Sequence, residues 1–411
     1  MSVLSGKPSL MKKINKNIIL NLIREKGLIS RAKLSKVAKI SRPTTSNIIE
    51  SLKKDNLIKE KGIGPATKKG GKKPILYEFN KNYGYIIGSQ IRTNEIETII
   101  TNFNAEILYE ITLKIGNARD EQTVINKLFS TFEYVIKKSG VKKKSIKGIG
   151  LGLTGIVDSK NGLLMFSSHF PEMGKNFKIQ KVIEDKFKIR TFIDNSARMM
   201  AWAEKIFGVG RDYKDIVTID TEEGIGSGVI IKGDIYRGFG YLAGEIGHTI
   251  IDPDGPKCYC GKNGCAEMMI STKTILDKVK SKFLENEDSI IYKNFKNNSN
   301  KLELKDIFAA YISGDKFICS IFNEIEDWFA IIIGNIILTY SPEIIIISGD
   351  YVNGSKKFIE RLKEKSAKKI FPVFDIEPNI ILSNLGKSAG PIGSVSLVLN
   401  QTINFNNVWN E

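Results

Sequence analysis

The densest chemistry in the chain is the stretch GEIGHTIIDPDGPKCYCGKNGCAE, residues 244–267. His248, Cys258, Cys260 and Cys265 offer one imidazole and three thiols, a donor set suited to tetrahedral Zn2+. Three of the four cysteines crowd into this run, which reads as a metal loop and not as a disulfide framework. Gly255, Gly261 and Gly264 let the backbone turn tightly around an ion. Four protein ligands leave no open coordination position, so the expected zinc is structural. A second chemical group lies near the amino terminus. Arg42, Thr44, Thr45, Ser46 and Asn47 set short donors and acceptors beside one guanidinium, the groups that read base edges and phosphates. Arg31 and the basic run Lys68, Lys69, Gly71, Lys72 and Lys73 add phosphate-binding chemistry nearby.

The elements that must position the second group are legible. Residues 12–26 place Ile14, Ile18, Ile19, Leu22 and Ile23 on one face at helical spacing, and Gly27 ends the helix. Ser30 caps a short helix, Arg31–Ala38, with Leu34 and Val37 expected to point inward. After a turn at Lys39 and Ile40, Ser41 caps a third helix with Pro43 in its first turn and Ile48, Ile49 and Leu52 as its core stripe. This is the layout of a helix-turn-helix. Leu57–Glu60 and Ile75–Phe79 form a hairpin whose tip, residues 62–74, is Gly/Pro-rich and basic: a wing for phosphate or a minor groove.

Charge agrees. The 411 residues carry +17, yet residues 1–80 alone hold 19 Lys and Arg against 5 Asp and Glu, or +14. A basic head on a nearly neutral body points to double-stranded DNA. No apolar leader opens the chain. The longest apolar run, near Trp328–Tyr340, is shorter than the roughly 20 residues a bilayer span needs. A cytoplasmic protein without disulfides or membrane contact is the expectation.

From Tyr83 onward strands and helices alternate. Strands at Tyr83–Ile91, Ile96–Asn102 and Glu106–Ile115 precede a helix at Thr123–Lys138, a buried strand at Ile146–Leu153 and a helix at Ser196–Phe207. A second set begins at Ile216, with a long helix at Lys316–Tyr340 and a last one at Ala389–Leu399. Two such halves predict an α/β two-lobe body with a cleft. Residues 285–303, rich in Asn and Lys, read as a surface excursion.

GEIGH, the CxCGxxGCxE run and LTGIVD together resemble the ROK family of repressors, open reading frames and sugar kinases, and the winged head resembles its repressor branch. The resemblance covers nearly the whole chain. It implies an actin/hexokinase-like two-lobe fold with a sugar in the cleft, and homo-oligomers, commonly dimers. The implied divisions are 1–80 for the head, 81–195 for the first lobe with 386–411 returning to it, and 196–385 for the second lobe with the zinc. The resemblance makes Glu245, His248, Glu267 and Asn195 sugar contacts, with Thr154, Gly155 and Ser196 beside them. His248 would then hold zinc through one ring nitrogen and sugar through the other.

The chain departs from the kinase pattern at three places. Ser196 stands where the kinases carry a general-base Asp, and a serine accepts no proton at neutral pH unaided. Asp194 is close in sequence but expected to point elsewhere. The first phosphate loop is replaced by Gln90-Ile91-Arg92-Thr93-Asn94, and the second begins with Glu222 and Glu223, carboxylates that repel phosphate. Phosphoryl transfer needs positioned phosphates, a metal ion and usually a base. The expectation is therefore a repressor of carbohydrate genes, not an enzyme, released from its operator by a monosaccharide. A pentose such as xylose is mildly favoured, and glucose stays open. Two alternatives also stay open: an active sugar kinase with an accessory DNA-binding domain, and a repressor sequestered by a protein partner.

Overall fold

The computed structural model describes residues 8–403 apart from 66–72, 117–119, 223, 372–376 and 387. Lys68, Lys69, Gly71 and Lys72 of the expected wing, and Glu223, lie outside the described residues.

The head begins with helix α1 (Pro8–Lys26), followed by β1 (Ile29–Ser30), α2 (Arg31–Ala38) and α3 (Arg42–Lys54). Ser30 accepts from the Lys33 N–H and Ser41 from the Thr44 N–H, so both expected caps form. Lys39 takes a left-handed conformation (φ 53°) that turns α2 towards α3. Strands β2 (Ile58–Ile63) and β3 (Ile75–Phe79) pair antiparallel, and β1 joins the other edge of β3. Two phases differ from expectation. Val37 is 45 % exposed, because Ala38 shares the inward face with Leu34 one turn away. Thr45 is 1 % exposed, because it falls in the same stripe as Ile48, Ile49 and Leu52.

The first lobe is a five-stranded sheet in the order β10-β7-β4-β5-β6, built from β4 (Tyr85–Ile91), β5 (Glu95–Asn102), β6 (Ile107–Lys114), β7 (Ile146–Leu153) and β10 (Thr191–Asn195). β4, β5 and β6 form an antiparallel meander; β4, β7 and β10 run parallel. Helix α4 (Glu121–Ser139) covers one face, with α5 (Ile179–Phe187) leading into β10 and a small hairpin, β8 (Ile156–Asp158) and β9 (Leu163–Phe166), beside it. The other face is covered by the carboxy-terminal helix, which approaches very closely. A side chain at Gly88 would meet the Pro391 carbonyl at 2.3 Å, and one at Gly150 the Ser394 carbonyl at 2.0 Å.

Helix α6 (Ser196–Ile206) leaves β10 and crosses to the second lobe. That lobe carries a sheet in the order β13-β12-β11-β14-β15, formed by β11 (Ile216–Asp220), β12 (Gly226–Ile231), β13 (Asp234–Ile235), β14 (Ile344–Ser348) and β15 (Ile380–Leu382). Helices α7 (Ala266–Ile270), α8 (Thr272–Lys282), α9 (Ile290–Phe295), α10 (Leu304–Ile312), α11 (Lys316–Tyr340) and α12 (Ser355–Ala367) pack against it. The 285–303 stretch is not a loose excursion. Ile291 and Leu302 are buried in the lobe's core, and Ser289 donates to Asp315 at 2.9 Å. Helix α13 (Ala389–Ile403) closes the chain.

The head does not hang on a free linker. One apolar cluster joins Ile19, Leu22, Ile23, Ile49 and Leu52 of the head to Ile86, Ile99 and Phe103 of the first lobe and to Val395, Val398 and Leu399 of α13. Arg24 of α1 also lies 5.4 Å from the ring centroid of Phe207, which caps the far end of α6.

Candidate functional site

The four expected metal ligands converge. The donor atoms of His248, Cys258, Cys260 and Cys265 all lie within 4.8 Å of one another. His248 Nδ1 is 3.7 Å from Cys258 Sγ, and the Cys260 and Cys265 sulfurs are 3.5 Å apart. The loop folds back on itself through bridges between Ile250 and Cys265 and between Lys257 and Asn263. Gly264 is required there: it sits at φ +65°, and a Cβ would lie 1.4 Å from the Asp252 carbonyl. Three thiols and an imidazole at this spacing fit a tetrahedral metal ion, and burial keeps the His248 pKa below its ordinary value, favouring the neutral ligand form.

Beside the cluster a cleft of about 110 Å³ opens between the lobes. Thr154, Gly155, Asn195, Ser196, Glu245, His248 and Glu267 all line it. Asn195 caps α6, accepting from the Ala197 and Arg198 N–H groups at 3.0 and 3.2 Å, and donates to the Gly155 carbonyl at 2.9 Å. Thr154 donates to the Ile91 carbonyl at 3.2 Å. Glu267 accepts from the Ile225 N–H at 2.9 Å. Burial, opposed by Arg198 and aided by Glu267, holds the Glu245 carboxyl above its ordinary range. Two carboxylates, an imidazole and hydroxyls around one cavity make a surface for a polyhydroxylated ligand.

The cleft's other end holds a charge arrangement invisible in the sequence. Arg92, 5 % exposed, pairs with Glu97 at 3.0 Å and with Glu222. Arg92 comes from the end of β4 and Glu222 from the loop after β11, so the pair bridges the two lobes. Despite that pairing, burial raises the Glu222 pKa to about 7, with Asp220 adding to the rise. Glu222 is thus no open carboxylate facing solvent; it fills the cleft end together with Arg92. Asp194 is fully buried and turned away from the cleft. Its carboxylate takes Arg198 Nε at 2.7 Å and Arg237 Nη2 at 2.7 Å.

On the head, Arg42, Pro43, Thr44, Asn47 and Lys73 are exposed and Ser46 partly so. Thr45 faces the core and offers nothing to a groove. Arg31 is committed within the protein: its Nε donates to the Tyr77 hydroxyl at 2.7 Å and its Nη2 to Glu50 at 2.5 Å. It braces α2 against α3 and the sheet. Sequence reasoning missed Arg92, Tyr259 and His169 as cleft residues. For Tyr259 a signal existed, since it stands between two candidate metal-binding cysteines, and for Arg92 its place in the segment that replaces the first phosphate loop; for His169 none did.

Comparisons with known proteins agree with this architecture. The ROK family model matches residues 86–401, and a winged helix-turn-helix DNA-binding model matches residues 14–59. The xylose repressor of Caldicellulosiruptor bescii is 30% identical over 403 residues, covering 97% of this chain and 99% of that protein. A crystal structure of a ROK family transcriptional regulator, homologous to the Escherichia coli MLC protein, superposes with a TM-score of 0.81 at 24% identity over 97% of this chain and 98% of the other. A ROK family glucokinase from Streptomyces griseus, solved with glucose and AMPPNP, has a TM-score of 0.68 at 21% identity, covering 76% of this chain and 99% of the kinase. With its metal-ligand cluster, two-lobe cleft and winged head, the chain belongs to the ROK family.

Proposed function

We propose that this protein is a DNA-binding repressor of carbohydrate-utilisation genes, released by a monosaccharide bound in the interlobe cleft. The observation that carries the reading is the path from cleft to head. Helix α6 starts at the cleft with Asn195 and Ser196 and ends at Phe207 against Arg24 of the head. A ligand that alters how α6 sits between the lobes therefore acts on the body to which the DNA-reading helix is fixed. Release requires only that the sugar bind the non-DNA-binding pose more tightly.

The functional divisions follow the sequence reading: 1–80 reads DNA, while 81–195 with 386–411 and 196–385 form the sensor. Arg42, Thr44, Ser46 and Asn47 read the major groove of each half-site, Lys73 and the wing grip phosphate, and a homodimer spans a pseudo-palindrome with half-sites about 34 Å apart or a multiple of that. Glu245, Glu267 and His248 hold sugar hydroxyls. Zn2+ on His248, Cys258, Cys260 and Cys265 fixes the loop that presents them; when bound it supplies structure and not Lewis-acid chemistry. No kinase activity is proposed, since Ser196 is not a base and the Arg92–Glu222 pair fills the phosphate end. Xylose is the first sugar to test, given the xylose repressor among the relatives.

The test is gel retardation of the DNA upstream of the gene by the full-length zinc-loaded protein, with a panel of free and phosphorylated monosaccharides. One sugar releases the DNA. Arg42→Ala weakens operator binding by about 1–3 kcal/mol without altering sugar affinity. Glu245→Ala binds DNA as the parent does but is no longer released. If no sugar changes the retardation, the sensing half of the proposal fails; ATP turnover with a sugar that vanishes in Glu245→Ala would make the protein a kinase instead.

A further inference from the structure

Tyr259 stands between Cys258 and Cys260, so the metal loop sets its backbone. Its ring is edge-on to His248, with centroids 5.2 Å apart and planes at 84°. Its hydroxyl lies 3.3 Å from His248 Nε2. The other ring nitrogen, Nδ1, faces Cys258. A metal held through Nδ1 would leave the ring proton on Nε2, which would then donate to the Tyr259 oxygen. Glu267 lines the same cleft as Tyr259 and His248. A hydroxyl on His248 Nε2 in the wall of this cleft stands where a sugar hydroxyl contacting His248 would lie. Across the opening the Tyr259 ring also meets His169 of the first lobe, centroids 5.7 Å apart.

We propose that Tyr259 is the gate of the sugar site: its hydroxyl, on His248 Nε2, occupies the place of one sugar hydroxyl, and a monosaccharide must displace it to bind. The inference rests on reading the cleft as a sugar site. It adds a consequence for signalling. Displacing Tyr259 breaks an aromatic contact that spans the lobes, so sugar entry is tied to a change in how the zinc loop meets the first lobe.

The experiment is calorimetry and stopped-flow binding of D-xylose, D-glucose and N-acetylglucosamine to the full-length zinc-loaded protein. Tyr259→Phe keeps the ring and removes the competing hydroxyl. It binds the preferred sugar about 2- to 10-fold more tightly, the scale of one net hydrogen bond, with the gain in the association rate and with unchanged zinc content. Equal or weaker binding in Tyr259→Phe, or a gain carried by slower dissociation, overturns the gate. Glu245→Ala separates the two readings. If it binds sugar as well as the parent does, or if the parent binds none of the three, the sugar-site reading itself is wrong and the gate falls with it. If Glu245→Ala loses binding while Tyr259→Phe gains none, only the gate is wrong.

Discussion

Cys265→Ala is expected to yield a protein that holds its operator but carries little zinc and ignores sugar. Cys265 is fully buried, its sulfur lies 3.5 Å from that of Cys260, and its backbone bridges to Ile250. It also caps α7, whose second residue is Glu267. Removing this thiol takes away one of the four candidate ligands that converge in this loop. Structural zinc contributes on the order of 10 kcal/mol to the folding of small metal domains. Losing a ligand therefore lets the loop open, and Glu245, His248 and Glu267 lose their mutual placement together. The head's core contains no residue of this loop, so DNA binding persists. Metal analysis should give less than about a tenth of the parent's zinc, and retardation should become insensitive to the sugar. Cys319, in the first turn of α11 with its sulfur 3.8 Å from the Tyr311 carbonyl, is the internal control: Cys319→Ala keeps both zinc and response. Full zinc content in Cys265→Ala would remove it from the ligand set.

What the sequence disclosed here was local, and what it concealed was long-range. Caps at Ser30 and Ser41, the periodic core of α3 and the clustered thiols each lie within a few residues, where one helix turn or one loop fixes the geometry. Even there the phase of a helix slipped: Thr45 looks like a groove-reading hydroxyl until its spacing from Ile48, Ile49 and Leu52 is taken seriously. Arg31 looked like a phosphate contact because its partners, Tyr77 and Glu50, come from other elements. The same holds for Arg92 and Glu222, which only the apposition of two sheets brings together. The alternating glycines of GIGLGL read as a plain buried strand. Their reason is the close passage of α13 over Gly150, more than two hundred residues later in the chain. The sequence sets Glu222 as an open carboxylate against phosphate; the structure shows it already paired with Arg92.

Asp194→Ala carries the largest expected cost in stability and separates the repressor from the kinase reading. Asp194 is the carboxylate nearest in sequence to Ser196, the position where a ROK kinase keeps its base, so it is the natural substitute if the protein were an enzyme. Its surroundings forbid that role. Both oxygens are spent: one on Arg198 Nε at 2.7 Å and the Asn195 N–H at 2.8 Å, the other on Arg237 at 2.7 and 3.0 Å. Arg198 is 1 % exposed and completes its bonds with the Val157 and Tyr241 carbonyls at 3.2 and 3.1 Å. Alanine at residue 194 leaves that buried guanidinium without its paired carboxylate. Breaking a buried pair in this way costs about 3–5 kcal/mol. Since Arg198 lies in the first turn of α6 and Arg237 in the loop after β13, the cost falls on the join between the lobes. Chemical denaturation followed by tryptophan fluorescence should show the body unfolding at clearly lower denaturant, Trp202 of α6 being a buried reporter. A catalytic Asp194 would behave the opposite way, its loss abolishing ATP turnover while sparing stability. Unfolding of Asp194→Ala within error of the parent would show that the two arginines do not need it, and would reopen its side chain to chemistry in the cleft.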